Sequence, residues 1–151
     1  MSRQWVQTLA TFFYLGYFPG APGTLASAAG VVLYLLLREH LWFYLGVTGL
    51  VIGLGFLVSG PMEKLTGKKD SGCIVIDEVA GMLLALFLLP LTAPVLWSAF
   101  FLFRAFDMFK IYPVNRFEAI PGGTGVMMDD LVAGVYTCIV MHAAVRITGM
   151  F

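Results

Sequence analysis

Long apolar blocks separated by short polar or Gly/Pro-rich breaks organise the chain, and each block predicts a helix. Residues 4 to 15, QWVQTLATFFYL, are apolar with a few polar positions and predict a short helix lying in a membrane interface. GYFPGAPGT then interrupts any helix. Thr24 or Ser27 can cap the following segment, TLASAAGVVLYLLL, which stays apolar up to Arg38. That core is short for a full crossing, so it begins at headgroup level or enters obliquely. Leu41 to Ser59 is a charge-free run of about 19 residues, enough at about 1.5 Å per residue to cross a hydrocarbon core. Trp42 and Tyr44 suit its outer interface, and Gly46, Gly49, Gly53 and Gly55 permit close helix approach. Pro61 to Gly72 is a hydrophilic loop; Ile74 to Leu89 forms a third span, closed by Pro90 and an LTAP turn. A fourth starts at Pro94 or Val95 and ends near Lys110, residues 114 to 126 form a loop around Pro121-Gly122-Gly123, and Met127 to Thr148 is the last span. The expected fold is all-α: a polytopic membrane helical bundle with four to five spans plus a short N-terminal interfacial helix, in a single domain over residues 1–151.

Composition strengthens this reading. The chain is 60% hydrophobic and 12% charged, with a mean hydropathy of +0.89; soluble domains average about 25% charged. Zero net charge gives no reason to expect a nucleic-acid partner. Cys73 and Cys138 lack metal-ligand or disulfide-framework spacing and read as free thiols. Ala26-Ser27-Ala28 resembles a signal cleavage site, but the Pro19–Thr24 break precedes it and the apolar run continues past it, so no cleavage is expected.

Following the chain from face to face separates the charges. If Thr24 lies on one face, Arg38–His40, the LTAP turn and Arg146 lie on the other, while residues 61–78 and 104–130 return to the first. Of nine Lys and Arg, only Arg38 and Arg146 fall on the second face, which makes the first face cytoplasmic. Among the acids only Glu39 lies opposite. The positive-inside rule does not account for that second asymmetry; a working site on the cytoplasmic face does.

Asp77 and Glu78 open one apolar run and Asp129 and Asp130 another. Acids favour helix N-termini, which explains one acid per helix but poorly explains adjacent pairs on two. Four clustered carboxylates would repel unless a cation sat among them, and hard oxygen ligands without His or Cys suit Mg²⁺. Gly81 and Gly134 each follow an acid at i+4 and leave a notch beneath it where a neighbouring helix can come close.

Arg104, Asp107 and Lys110 are spaced by three and share one broad helical face. Arg104 either pairs with Asp107 or joins Lys110 in holding a phosphate. Pro22-Gly23-Thr24 leads into a helix and offers backbone N–H groups and a hydroxyl to an anion; Gly122, Gly123 and Gly125 form a flexible turn first and a phosphate cradle second. No nucleotide-binding glycine motif occurs. His40 and His142 fall towards the opposite face, so no Ser-His-Asp or Cys-His arrangement can be assembled with the acids.

Taken together, FPGAPGTLAS at 18–27, IVIDEVAGM at 74–82, FRAFDMFKIYPV at 103–114 and GGTGVMMDDLVAG at 122–134 resemble the bacterial phosphatidylglycerophosphatase A family. The blocks come in family order and cover most of the chain apart from the second span. The resemblance implies a Mg²⁺-dependent phosphatase converting phosphatidylglycerophosphate to phosphatidylglycerol in the bacterial inner membrane. It points to Asp77, Glu78, Arg104, Asp107, Lys110, Asp129 and Asp130, with Pro22, Gly23 and Thr24. Ile111 departs from the family pattern, standing where a proline is usual, and frees the fourth helix to continue by a residue. Ala26 stands where relatives often carry glycine.

The expected mechanism is metal-assisted monoester hydrolysis of a phospholipid held in the bilayer. Asp77, Glu78, Asp129 and Asp130 would hold Mg²⁺. Arg104 and Lys110 would offset phosphate charge, Asp107 or an unligated carboxylate would orient water, and Pro22, Gly23, Thr24, Gly122 and Gly123 would contact the substrate. A phosphatase for another lipid or prenyl phosphate is the nearer alternative. A small transporter would need charge at mid-membrane or on both faces, whereas these groups crowd one side.

Overall fold

The computed structural model describes the whole chain apart from residues 1, 70, 110–111, 113–115, 117–119 and 150–151. Its centre is helix α4 (Ile76–Leu86), nine of whose eleven residues are buried. A helix apolar on all sides is a core helix, and IDEVAGMLLAL is apolar on every side below its two acids. Around it stand α2 (Pro22–Leu37), α3 (Leu41–Thr66), α5 (Ala93–Phe109) and α6 (Gly123–Thr148), with α1 (Arg3–Ala10) packed on α3. Among the described residues there are no strands, as the all-α expectation requires.

Glycines set the helix directions. A Cβ on Gly30 of α2 would meet Met82 of α4 at 2.8 Å, and one on Gly134 of α6 would run into the backbone of Gly81 in α4. Residues 23, 30 and 34 of α2 therefore descend alongside 78, 82 and 89, so α2, α4 and α6 run one way. Gly55 of α3 abuts Met127 and Gly60 abuts Gly123, which makes α3 antiparallel to α6. Gly46, Gly49 and Gly53 have nothing within 4 Å; of the four glycines expected to admit a neighbour on α3, only Gly55 does so.

Several boundaries differ from the sequence expectation. Helix α1 stops at Ala10 rather than Leu15, since Phe12, Phe13 and Tyr14 take positive φ, and α2 starts at Pro22 with no cap from Thr24 or Ser27. Helix α3 does not stop at Ser59 but continues through Pro61 to Thr66. Proline withholds one backbone donor there, yet Met62 beyond it is fully buried and Gly67, at φ 67°, closes the helix with its N–H on the Glu63 carbonyl. Helix α4 ends at Leu86 rather than Leu89, because Phe87 turns extended and Leu88 takes φ 54°. Its terminal carbonyls are met from outside the helix: the Tyr44 hydroxyl donates to Leu83 O, and the Tyr34 hydroxyl donates to Leu89 O just beyond, at 2.7 Å. Helix α6 starts at Gly123, not Met127, so Gly123 and Gly125 lie in its first turn instead of a loop.

Helices α3 and α6, at 26 residues, are long and apolar enough to cross a membrane, each about 39 Å long. Helices α2, α4 and α5 are shorter, so length and composition establish two candidate crossings rather than four to five. Large apolar side chains nonetheless face outwards around the bundle, among them Leu36, Leu57, Trp97, Phe101 and Ile139, each at least 60% exposed. A surface of that kind fits lipid contact.

Candidate functional site

The carboxyl oxygens of Asp77, Glu78 and Asp130 lie within 4.8 Å of one another. The cause lies one turn below: Gly81 and Gly134, four residues after Asp77 and Asp130, touch backbone to backbone where α4 and α6 cross. A Cβ on Gly81 would stand 2.6 Å from Asp130 O and 2.7 Å from the Phe103 ring. With no side chain between them, the two helices deliver their acids to one point. Asp77 and Asp130 are buried, Glu78 nearly so.

Within each acidic pair the first carboxylate turns back on its own chain. Asp77 Oδ1 accepts the Glu78 N–H at 3.0 Å, and Asp129 Oδ1 accepts the Asp130 N–H at 3.0 Å. Asp129 is buried beside the cluster and its charge reaches Asp77, but it is not one of the three whose oxygens converge. Asp77 and Glu78 occupy the first turn of α4, where the helix dipole favours them. Asp129 and Asp130 sit in the second turn of α6, contrary to the expected first turn, and N-terminal capping does not explain them.

Helix α5 brings the cation. Arg104 Nη1 lies 2.5 Å from Asp107 Oδ2 and 3.9 Å from Glu78 Oε1, so its pairing with Asp107 is observed. Arg104 Nε and Glu78 Oε2 are buried without a hydrogen-bond partner. Buried polar atoms are nearly always partnered, so these two leave an acceptor and a donor open beside the acidic cluster, as Thr48 Oγ1 and Ser59 Oγ are left open on α3. Gly23, at the second position of α2, closes the other side: a Cβ there would collide with Glu78 Oε1 and stand 3.4 Å from Arg104 Nη1. Pro22 beside it is half-buried and Thr24 is exposed.

Gly122 and Gly123 stand apart from this group in what they touch. Gly123 is buried against Ser59 and Gly60 of α3, which gives it a packing role, while Gly122, at φ 78°, has open space around it. Lys110 and Ile111 lie outside the described residues. One contributor was missed from the sequence: Phe103, fully buried against Gly81, wedges α5 onto the crossing. Its position directly before Arg104, inside the apolar run, was the available signal.

Three carboxylates this close and sheltered from water either take up protons or gather a cation. The donor set is all oxygen, has an open buried acceptor at Glu78 Oε2, and contains no His or Cys. Such a set fits a hard divalent ion, with coordination places left over for water or phosphate oxygens.

The sequence profile of the family described as phosphatidylglycerophosphatase A matches residues 8–145. A protein of Escherichia coli (strain K12) named phosphatidylglycerophosphatase A is 37% identical over 146 residues, covering 94% of this chain and 84% of the relative. The Haemophilus influenzae protein of the same name is 36% identical over 142 residues, with 91% and 87% covered. A Bacteroides thetaiotaomicron protein with the provisional name phosphatidylinositol-3-phosphatase is 36% identical over 150 residues, covering 93% of this chain and 94% of its own. No solved structure matches the chain significantly.

Proposed function

The chain belongs to the phosphatidylglycerophosphatase A family, a family of lipid phosphatases, and from that premise we propose that it hydrolyses phosphatidylglycerophosphate to phosphatidylglycerol and inorganic phosphate. The reading rests above all on the convergence of Asp77, Glu78 and Asp130 beside Arg104, with an acceptor on Glu78 and a donor on Arg104 left open.

In this reading Asp77, Glu78 and Asp130 hold Mg²⁺, with Asp129 buttressing them through the backbone of Asp130. The ion, when bound, neutralises phosphate charge and makes a water more acidic. Arg104 supplies forked donors to the phosphate oxygens and is aimed by Asp107, to which one of its nitrogens is already bound. Lys110, three residues further along the same helical periodicity, adds a point charge. The backbone of Gly23 and Thr24, at the unpaired N-terminus of α2, faces the same anion. Gly122 and Gly123 contribute at the mouth of α6. In the chemical step a water oxygen bonds to phosphorus as the bond to the glycerol oxygen breaks. The proton removed from water is taken by a carboxylate of the group and passed on to the departing alkoxide, which returns the carboxylate to its starting state. The acyl chains stay in the bilayer, the chain forms one domain crossing it four to five times, and the site faces the cytoplasm of a bacterial inner membrane.

The test is phosphate release by the purified protein from phosphatidylglycerophosphate, with and without Mg²⁺. Asp77→Asn and Asp130→Asn should each lower turnover by about 100-fold or more and weaken metal binding measured directly. Wild-type turnover in both variants refutes the assignment. A second reading, a phosphatase for another phosphorylated lipid, is favoured by the provisional name of the Bacteroides relative. Faster release from phosphatidylinositol 3-phosphate than from phosphatidylglycerophosphate would establish it.

A further inference from the structure

The end of the bundle opposite the carboxylates holds a second polar pocket. It encloses about 320 Å³, within the range of small-molecule sites, and forms where the end of α2, the start of α3 and the α4–α5 connection meet. On α2, Arg38 stands about 22 Å along the axis from Gly23, so the two sites are distinct.

Its charges are layered. Arg38 Nε lies 2.8 Å from Glu39 Oε1, and the arginine side chain is 29% exposed against 70% for the glutamate. The cation is therefore the deeper of the two and the anion stands at the mouth. Behind them three rings form a wall: Tyr34 meets Tyr44 edge-on at 6.1 Å, and Tyr44 stacks on Phe87 at 6.2 Å. Both tyrosine hydroxyls donate to backbone carbonyls and both rings are buried, so the wall closes the floor of the pocket. Leu41, Leu88 and Leu91 line the same pocket and are exposed, a greasy lip beside the charged pair.

We propose that this pocket binds the headgroup of a zwitterionic phospholipid, its phosphate on Arg38 and its ammonium towards Glu39, with the acyl chains over the leucines. In a phospholipid leaflet the phosphate lies nearer the chains than the ammonium does, which matches a deep cation and an outer anion. Arg38 offers the forked geometry a phosphate takes. Glu39 rejects lipids whose headgroup carries only negative charge, a repulsive element that yields selectivity.

Binding to the purified full chain in detergent, followed by native mass spectrometry, tests this without recourse to phosphatase activity. Short-chain phosphatidylethanolamine should bind at least about tenfold more tightly than phosphatidylglycerol of the same chain length. Glu39→Gln, at an exposed position that folding does not depend on, should remove that preference; Arg38→Gln should weaken both lipids. Equal binding of the two lipids by the wild type overturns the proposal, as does a preference unchanged in Glu39→Gln. Phosphoethanolamine without acyl chains binding as tightly as the lipid would assign the pocket to a soluble ligand and overturn it too.

Discussion

Gly23 shows how much one missing side chain decides at the residue scale. The atom a Cβ would strike first is Glu78 Oε1, the end of a side chain able to move, with Arg104 Nη1 next at 3.4 Å. Gly23→Ala should therefore leave thermal stability nearly unchanged, because the carboxylate yields, while metal affinity falls about tenfold or more as Glu78 leaves its place. Equal metal binding by the variant and the wild type would show that Glu78 is not a ligand. Protons and a cation compete for the same oxygens of Asp77, Glu78 and Asp130. Acidification protonates them, so metal affinity measured by titration calorimetry should fall steadily from neutral to mildly acid pH; a rise would contradict the cluster's role.

Among elements, the α4–α6 crossing carries the most consequence. At Gly134 an added Cβ meets the backbone of Gly81, which cannot swing aside as a carboxylate can. Gly134→Ala should cost about 1–3 kcal/mol in denaturant unfolding as well as metal affinity, in contrast to Gly23→Ala. Tyr44→Phe, which strips a buried bond from the Leu83 carbonyl at the end of α4, should cost about 1–3 kcal/mol and leave metal binding intact. The acidic pairs with glycine at i+4 were legible in the sequence, since both features are local. Boundaries were less so: Pro61 reads as a stop, and only the burial of Met62 and the αL cap at Gly67 keep α3 helical beyond it. Likewise nothing local distinguishes Gly55 from Gly46, Gly49 and Gly53; the partner Met127 does. That Asp130 rather than Asp129 joins the three converging oxygens depends on the rotation of α6 about its axis, which tertiary packing sets.

Across the whole molecule, the antiparallel course of α2 and α3 places Glu39 and Lys64 at opposite ends. Helix α3, about 39 Å long, separates them by a bilayer's thickness. Both side chains are exposed. With Cys73 and Cys138 replaced, Lys64→Cys should react with an impermeant thiol reagent only from the cytoplasmic side and Glu39→Cys only from the other. Reaction of both from one side would rule out this topology.

The glycine contact between α4 and α6 also acts as a fulcrum. Asp77 and Asp130 lie four residues beyond it, about 6 Å along their helices, so a tilt of about 10° would change the gap between them by about 1 Å. That exceeds the difference between the bond lengths preferred by Mg²⁺ and Ca²⁺, about 2.1 and 2.4 Å. The bundle thus works as a calliper whose jaw opening is locked at the hinge. If the cluster holds a metal as proposed, how firmly α2, α3 and α5 brace that hinge would fix which ionic radius the jaws accept.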